Sequence, residues 1–150
     1  MSGSFCQRVV SSFEARPDST AMRIVGDDDQ VYSFGETLSQ IRSVAYRLRA
    51  EDVEFGDRIA LIGENHPNWA IAYLATLFHG AVCVPIDPHG EIETITNFIH
   101  NSEAKLAFIG SEIKDKFGRI QERLGRRIPT VMWSSDADSP ISANGYMAFA

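Results

Sequence analysis

Apolar positions along this chain follow a period of about four residues first, then a regular exchange between continuous runs and helical stripes. In SFCQRVVSSFEARPDS, Phe5, Val9 and Phe13 recur at every fourth position and draw one face of a helix. That helix stops at Arg16-Pro17, because proline disfavours helical backbone in the residue before it. AMRIV and VYSF read as two short strands around the polar turn GDDDQ, a hairpin. Asp27, Asp28 and Asp29 lack the glycine and the distant glutamate of a calcium loop, so they belong to the turn. Ser33-x-x-Glu36 is a capping box that opens the next helix. Leu38, Ile41, Ala45 and Leu48 form the apolar face of this helix, while Arg42, Arg47 and Arg49 lie on the solvated side with their stems over the apolar edge.

From Gly56-Asp57 onward the pattern becomes strand–helix, repeated. RIALIG is apolar on both faces, as in a parallel sheet covered by helices on each side. A helix follows from Pro67 to His79, closed by Gly80; it is apolar nearly all round, which predicts enclosure by other elements. AVCVPI reads as a second buried strand. EIETITNFIHNSE is a helix carrying Ile92, Ile95, Phe98 and Ile99. KLAFIG, SEIKDKFGRIQERLG and IPTVMW then supply a strand, a helix and a fourth strand. This order predicts an α/β fold: a parallel, Rossmann-like βαβ sheet with flanking helices, preceded by an N-terminal helix and a β-hairpin. After Trp133, SSDADSPISANG is small, polar and turn-prone. Residues 1–133 therefore read as one folded portion and 134–150 as a linker or a continuation. The apolar ending YMAFA, with neither cap nor charge, predicts a cut through a longer protein and self-association through the exposed apolar surface.

Composition narrows the classes. The 150 residues are 44% apolar and 23% charged, in the soluble globular range and enough for one domain or a piece of a larger one. A net charge of −6 argues against a nucleic-acid or anionic-membrane surface. Cys6 and Cys83 show no metal-ligand spacing and no disulfide framework, and Cys83 reads as a small buried thiol. The longest apolar run, AIAYLATLF, is too short for a membrane span, and the first residues lack the apolar core of a signal peptide. A reducing, cytoplasmic setting is the expectation.

In a nucleotide-binding sheet, the turn GENHPNW would be the phosphate site. A dinucleotide turn needs G-x-G-x-x-G, and a phosphate loop needs G-x-x-x-x-G-K-[ST]. Here there is one glycine, Gly63, and no lysine. Pro67 at the first helical position has no N–H to give, and Glu64 would repel a phosphate. The turn therefore reads as scaffold, with Pro67 fixing the helix entry and Trp69 as an apolar anchor. His66, His79, His89 and His100 show no metal spacing and sit at helix ends or in loops. No G-x-S-x-G elbow exists. The carboxylate pairs Glu91/Glu93 and Glu112/Asp115 fall where helix starts favour negative charge. No residue of the chain is thus singled out as catalytic, cofactor-binding or metal-ligating. Any contribution to a pocket should come from the carboxyl ends of the strands: Glu64–His66, Asp87–Gly90 and Gly110-Ser111.

Four segments in order carry a family resemblance. They are Tyr32-Ser33-Phe34-Gly35-Glu36 with Leu38, Gly56-Asp57-Arg58-Ile59, the turn with Asn65, Pro67 and Trp69, and Gly80-Ala81-Val82-Cys83-Val84-Pro85-Ile86-Asp87-Pro88. Together they resemble the opening of the adenylate-forming (AMP-binding) superfamily, especially acyl-CoA synthetases of the long-chain fatty acid ligase type. The resemblance runs from about residue 5 to 133. Thr37 displaces the usual leucine, and His66 stands where a small capping residue is frequent. The resemblance implies part of the large N-terminal domain of an enzyme that joins a carboxylic acid, a fatty acid, to ATP as an acyl-adenylate and passes the acyl group to coenzyme A. ATP, Mg2+ and CoA are implied for the full-length parent and none for this stretch. The family's phosphate loop, its aromatic-Gly-x-Thr-Glu motif, its ribose-binding aspartate and its C-terminal lysine lie downstream. On that basis the stretch alone is expected to be inactive, with the remainder of the parent chain as its partner. Two alternatives stand beside this reading. One is a free-standing, non-catalytic α/β binding module; the other is the opening of a luciferase-like enzyme or a peptide-synthetase adenylation domain.

Overall fold

The computed structural model describes residues 4–25 and 29–134, together with the backbone of a strand at 146–149. Helix α1 (Phe5–Glu14) is capped by Ser4, whose hydroxyl accepts the Gln7 N–H while the Gln7 side chain accepts the Ser4 N–H at 2.8 Å. Strands β1 (Thr20–Ile24) and β2 (Gln30–Ser33) pair antiparallel as the expected hairpin. Of its acidic turn, Asp29 pairs with Arg23 at 3.5 Å; Asp27 and Asp28 lie outside the described residues. Helix α2 (Phe34–Ala50) opens on the expected capping box, with Glu36 accepting the Ser33 N–H and Ser33 accepting the Glu36 N–H. The two backbone and hydroxyl bonds from Ser33 hold the Glu36 carboxyl below its usual range. Its core face is Leu38, Ile41, Val44 and Leu48, so Val44 takes the deep position and Ala45 only flanks it.

Four parallel strands follow: β3 (Arg58–Ile62), β4 (Val82–Ile86), β5 (Leu106–Gly110) and β6 (Thr130–Trp133). They alternate with α3 (Pro67–His79), α4 (Ile92–Ser102) and α5 (Lys114–Leu124). A strand over Tyr146–Phe149, β7, pairs antiparallel with β6. Among the described residues the sheet order is β4-β3-β5-β6-β7. Side chains alternate across a strand, so β3 feeds two cores. Ile59 and Leu61 join Ile41, Leu48, Ile71 and Phe108 under α2 and α3. Ala60 and Ile62 join Ile95, Ile99, Phe117 and Ile120 under α4 and α5. Ala60 lies opposite Ala107 in the ladder, and two small residues there leave room for the isoleucines above. Each large side chain so buried stabilises the fold by about 1.5–3 kcal/mol relative to leaving it exposed.

Two expectations are corrected. β4 is an edge strand rather than a buried one: Val82 is 48% exposed and Pro85 is also exposed. The ladder to β3 runs through Pro85, paired with Leu61, and proline, which has no N–H to donate, is tolerated in a strand that has an outer edge. Helix α3, by contrast, is enclosed much as expected: Ile71, Ala72 and Ala75 are buried, Trp69, Tyr73, Leu74 and Phe78 are half-buried against the same core, and none of its residues is exposed. Phe98 of α4 points outward, 54% exposed, because the core side of that helix is Ile95, Thr96 and Ile99, with Ile92 packed beside them. Cys83 is half-buried, and burial pushes its thiol up to about 12.

Candidate functional site

All four parallel strands point the same way, so their carboxyl ends meet on one rim. The connection from β3 leads through α3 to β4 on one side, and the connection from β5 leads through α5 to β6 on the other. The helices lie on opposite faces of the sheet. The ends of β3 and β5 therefore flank the switch point where an open α/β sheet opens its ligand crevice.

The β3–α3 turn is built from its cap. His66 is extended (φ −145°, ψ 150°), and its imidazole Nδ1 accepts the Asn68 N–H at 3.1 Å. The Trp69 N–H donates to the His66 carbonyl at 2.9 Å, and Pro67 has no N–H. The first-turn amides of α3 are thus all consumed or absent, and the helix start does not fit a nucleotide phosphate. Burial holds the His66 imidazole below its ordinary value, and the nearby Glu112 carboxylate partly opposes that. Beyond the cap, Trp69 and Tyr73 stack at 5.6 Å with planes 7° apart.

The three loops expected at this rim do converge. The Glu64 carboxylate pairs with His89 Nε2 at 3.0 Å, which joins the first loop to the second. Asp87 holds the second loop, its Oδ1 accepting the His89 N–H at 2.9 Å. Lys116 Nζ adds a bond to the Pro88 carbonyl at 2.6 Å. Glu112, in the single 3-10 turn Ser111–Ile113 after β5, accepts the Glu64 N–H on Oε1 at 2.8 Å and joins the first loop to the third. An open groove of 360 Å³ lies beside this junction, lined by Gly63, Asn65, Trp69, Pro85, Ile86 and Asp87.

Two participants escape the sequence pattern. Glu112 reads there as a helix-start charge, but its carboxylate folds back over the strand ends. A methyl group on Gly110 would land on both carboxylate oxygens, and one on Gly63 would come within 3.1 Å of Oε1. Trp133 reads only as the end of a strand. It is fully buried with its indole against Gly63, where a methyl would meet Cη2 at 2.9 Å. The Trp133 Nε1 has no hydrogen-bond partner among the described residues. The remaining histidines hold helix-end or loop positions, with His79 Nε2 donating to the Val53 carbonyl at 2.6 Å. Among the described residues no three His, Cys, Asp or Glu side chains are placed to hold a metal, and no helix is long and apolar enough to cross a membrane.

Comparison with known proteins gives a consistent result. A family model described as AMP-binding enzyme matches residues 9–146. A feruloyl-CoA synthase of an Amycolatopsis species is 40% identical over 128 residues, which is 83% of this chain and 25% of that protein. A medium/long-chain-fatty-acid–acyl-carrier-protein ligase of Mycobacterium tuberculosis is 26% identical over 124 residues, 83% of this chain and 23% of that protein. The fold matches a crystal structure of a benzoate CoA ligase from Burkholderia xenovorans with a TM-score of 0.76 at 20% identity, covering 91% of this chain and 26% of that one. The chain therefore spans about a quarter of the length of these relatives.

Proposed function

The chain belongs to the AMP-binding enzyme family, and from that premise we propose that it is the scaffold-forming N-terminal portion of an ATP-dependent acyl-CoA synthetase. In this reading the whole protein activates a carboxylic acid, of the fatty acid class, as an acyl-adenylate and transfers the acyl group to CoA. ATP supplies the adenylyl group, with Mg2+ on its phosphates, and CoA supplies the accepting thiol.

The observation that carries the reading is where the family-like segments fall. Each sits at a position that shapes the chain. Gly56 (φ 82°) turns into β3. Asp57 accepts the Glu54 N–H at 2.7 Å and pairs with Lys105 at 2.9 Å. Pro67 starts α3 and Gly80 (φ 89°) ends it. Asp87 ties the loop after β4. These residues build a sheet and helices, and the amides of the α3 start are already spent. In the proposed reading the chemistry of the reaction belongs to chain beyond this stretch, and residues 1–150 alone are inactive.

The test is ATP–pyrophosphate exchange by the 150-residue chain and by a version extended with its continuing sequence. The extended protein should exchange with a fatty acid, and the 150-residue chain with no acid. Activity in the short chain, or no carboxylate activated by the long one, overturns the proposal. A second reading of the acid rests on the 40% identity to feruloyl-CoA synthase. An aromatic acid such as ferulate belongs in the same assay, and preference for it would replace the fatty acid while leaving the reaction intact.

A further inference from the structure

Among the described residues the most exposed large apolar side chain is Phe55, at 90%, and it is firmly mounted. The Glu54 N–H donates to the Asp57 carboxylate at 2.7 Å, and the Asp57 N–H to the Glu54 carbonyl at 3.1 Å. The Gly56 N–H bonds the Gly80 carbonyl at 2.9 Å, and the Val82 N–H bonds the Asp57 carbonyl at 2.8 Å. One edge of the ring rests over Gly80, where a methyl would come within 2.6 Å of it. An apolar knob fixed by backbone bonds docks with little loss of loop freedom. Its stretch, Glu51–Asp57, carries four acids and no base; Arg47 and Arg49 belong to the last turn of α2. Lys105 stands in the field of Asp57, Glu54 and Asp52, one cation among three carboxylates. The complementary shape lies across the sheet. Beside α5 runs an open groove of about 760 Å³, floored by the buried Ile109, Phe117 and Thr130. A pocket of that size takes a body larger than one aromatic ring. Gly118 and Gly125 widen it, and a methyl added to either meets no atom within 4 Å. From Lys114 to Arg127 the chain has six basic residues against two acidic ones, in a molecule of net charge −6. Of these, Lys114, Arg119, Arg126 and Arg127 line the groove, with Asp115 and Glu122. The knob is mounted at the β4 margin, whereas the groove opens over β5 and β6, so the two cannot meet within one copy.

We propose that a second copy of this chain docks here: the Phe55 turn of one copy enters the α5 groove of the next, acidic flanks against basic rim. The contact is heterologous and leaves each copy a free knob and a free groove. One side chain and its flanks bury less than a stable dimer needs, so the assembly is weak and grows with concentration. The contact involves no step of the reaction, so the exchange assay above and the test below fail separately.

The test follows the mass of the 150-residue chain by sedimentation equilibrium, up to roughly millimolar protein, at low and high salt. Wild type should associate, and salt should loosen it, because exposed opposite charges are screened. Phe55→Ala should weaken association by roughly tenfold or more, the loss expected for a central aromatic anchor. Gly118→Leu, which fills the groove and favours the helix, should do the same; should it not fold, Arg119→Glu on the rim takes its place. An equimolar mixture of the knob variant and the groove variant keeps one intact knob and one intact groove. It should form pairs and nothing larger. A monomeric wild type overturns the proposal. So does association that salt strengthens, association that survives Phe55→Ala, or a mixture that stays monomeric.

Discussion

The two ends of the parallel sheet are tied by opposite means. At the amino end, long charged side chains reach across to other segments. Lys105 pairs with Asp57 at 2.9 Å and donates to the Asp52 carbonyl at 2.6 Å; Arg58 donates to the Ser102 carbonyl at 2.9 Å and to Glu103 at 3.0 Å. Hydrogen bonds and the partner charge hold the Asp57 carboxyl low and the Lys105 ammonium high. At the carboxyl end, the chain is held by close approach. Gly63 admits an indole, Gly110 admits a carboxylate, and a histidine caps a helix with its ring. Solvent screens exposed pairs such as those at the amino end, whereas the interior does not forgive a lost contact or an added atom. The end where a ligand would be expected is therefore the more tightly determined one.

Five substitutions bear on that contrast. The largest loss is expected from Gly63→Ala, which drives a methyl into Trp133 and should destabilise by about 3 kcal/mol in urea unfolding. Gly56→Ala, at the amino end, meets no atom within 4 Å. It pays only for the left-handed backbone and should cost about 1–2 kcal/mol. Equal losses at the two glycines would erase the distinction drawn here. His66→Ala removes the ring cap and should cost about 1 kcal/mol at neutral pH.

His66 also has a pH signature. Its folded-state value lies below 6.5, lowered chiefly by burial, so protons bind the unfolded chain more readily. The stabilisation is complete above the ordinary histidine value and is lost as pH falls toward and through the lowered one. His66→Asn, which keeps a cap without titrating there, should flatten the fall in urea midpoint between neutral pH and mild acid; an unchanged slope would assign it to other groups. Lys105→Met should give the smallest change of all, and high salt should remove the difference from wild type.

Much of this was legible in the residues, and the limits have physical reasons. Capping chemistry is local, so Ser33-x-x-Glu36, Pro67 and Gly80 mark helix ends directly. Strand–helix alternation announced the sheet, and parallel direction placed Glu64–His66, Asp87–Gly90 and Gly110-Ser111 on one rim before any contact was known. Pro85 was a readable sign that β4 has an open side, outweighed by the apolar run around it. The Ser4–Gln7 cap was equally local, but glutamine at that position draws less notice than glutamate. Glu112 and Trp133 were out of reach. Their roles depend on Gly63, which neighbours them only after β3, β5 and β6 have assembled, and no spacing within one segment encodes that meeting.

Pro85 has one more effect, on the protein in concentrated solution. An unpaired strand edge is a template for fibril growth, since each arriving strand finds a row of donors and acceptors to copy. On β4 that row is broken at a residue with nothing to donate, within a strand only five residues long (Val82–Ile86). Two copies of this chain brought side by side would be poorly equipped to knit their sheets together across this margin.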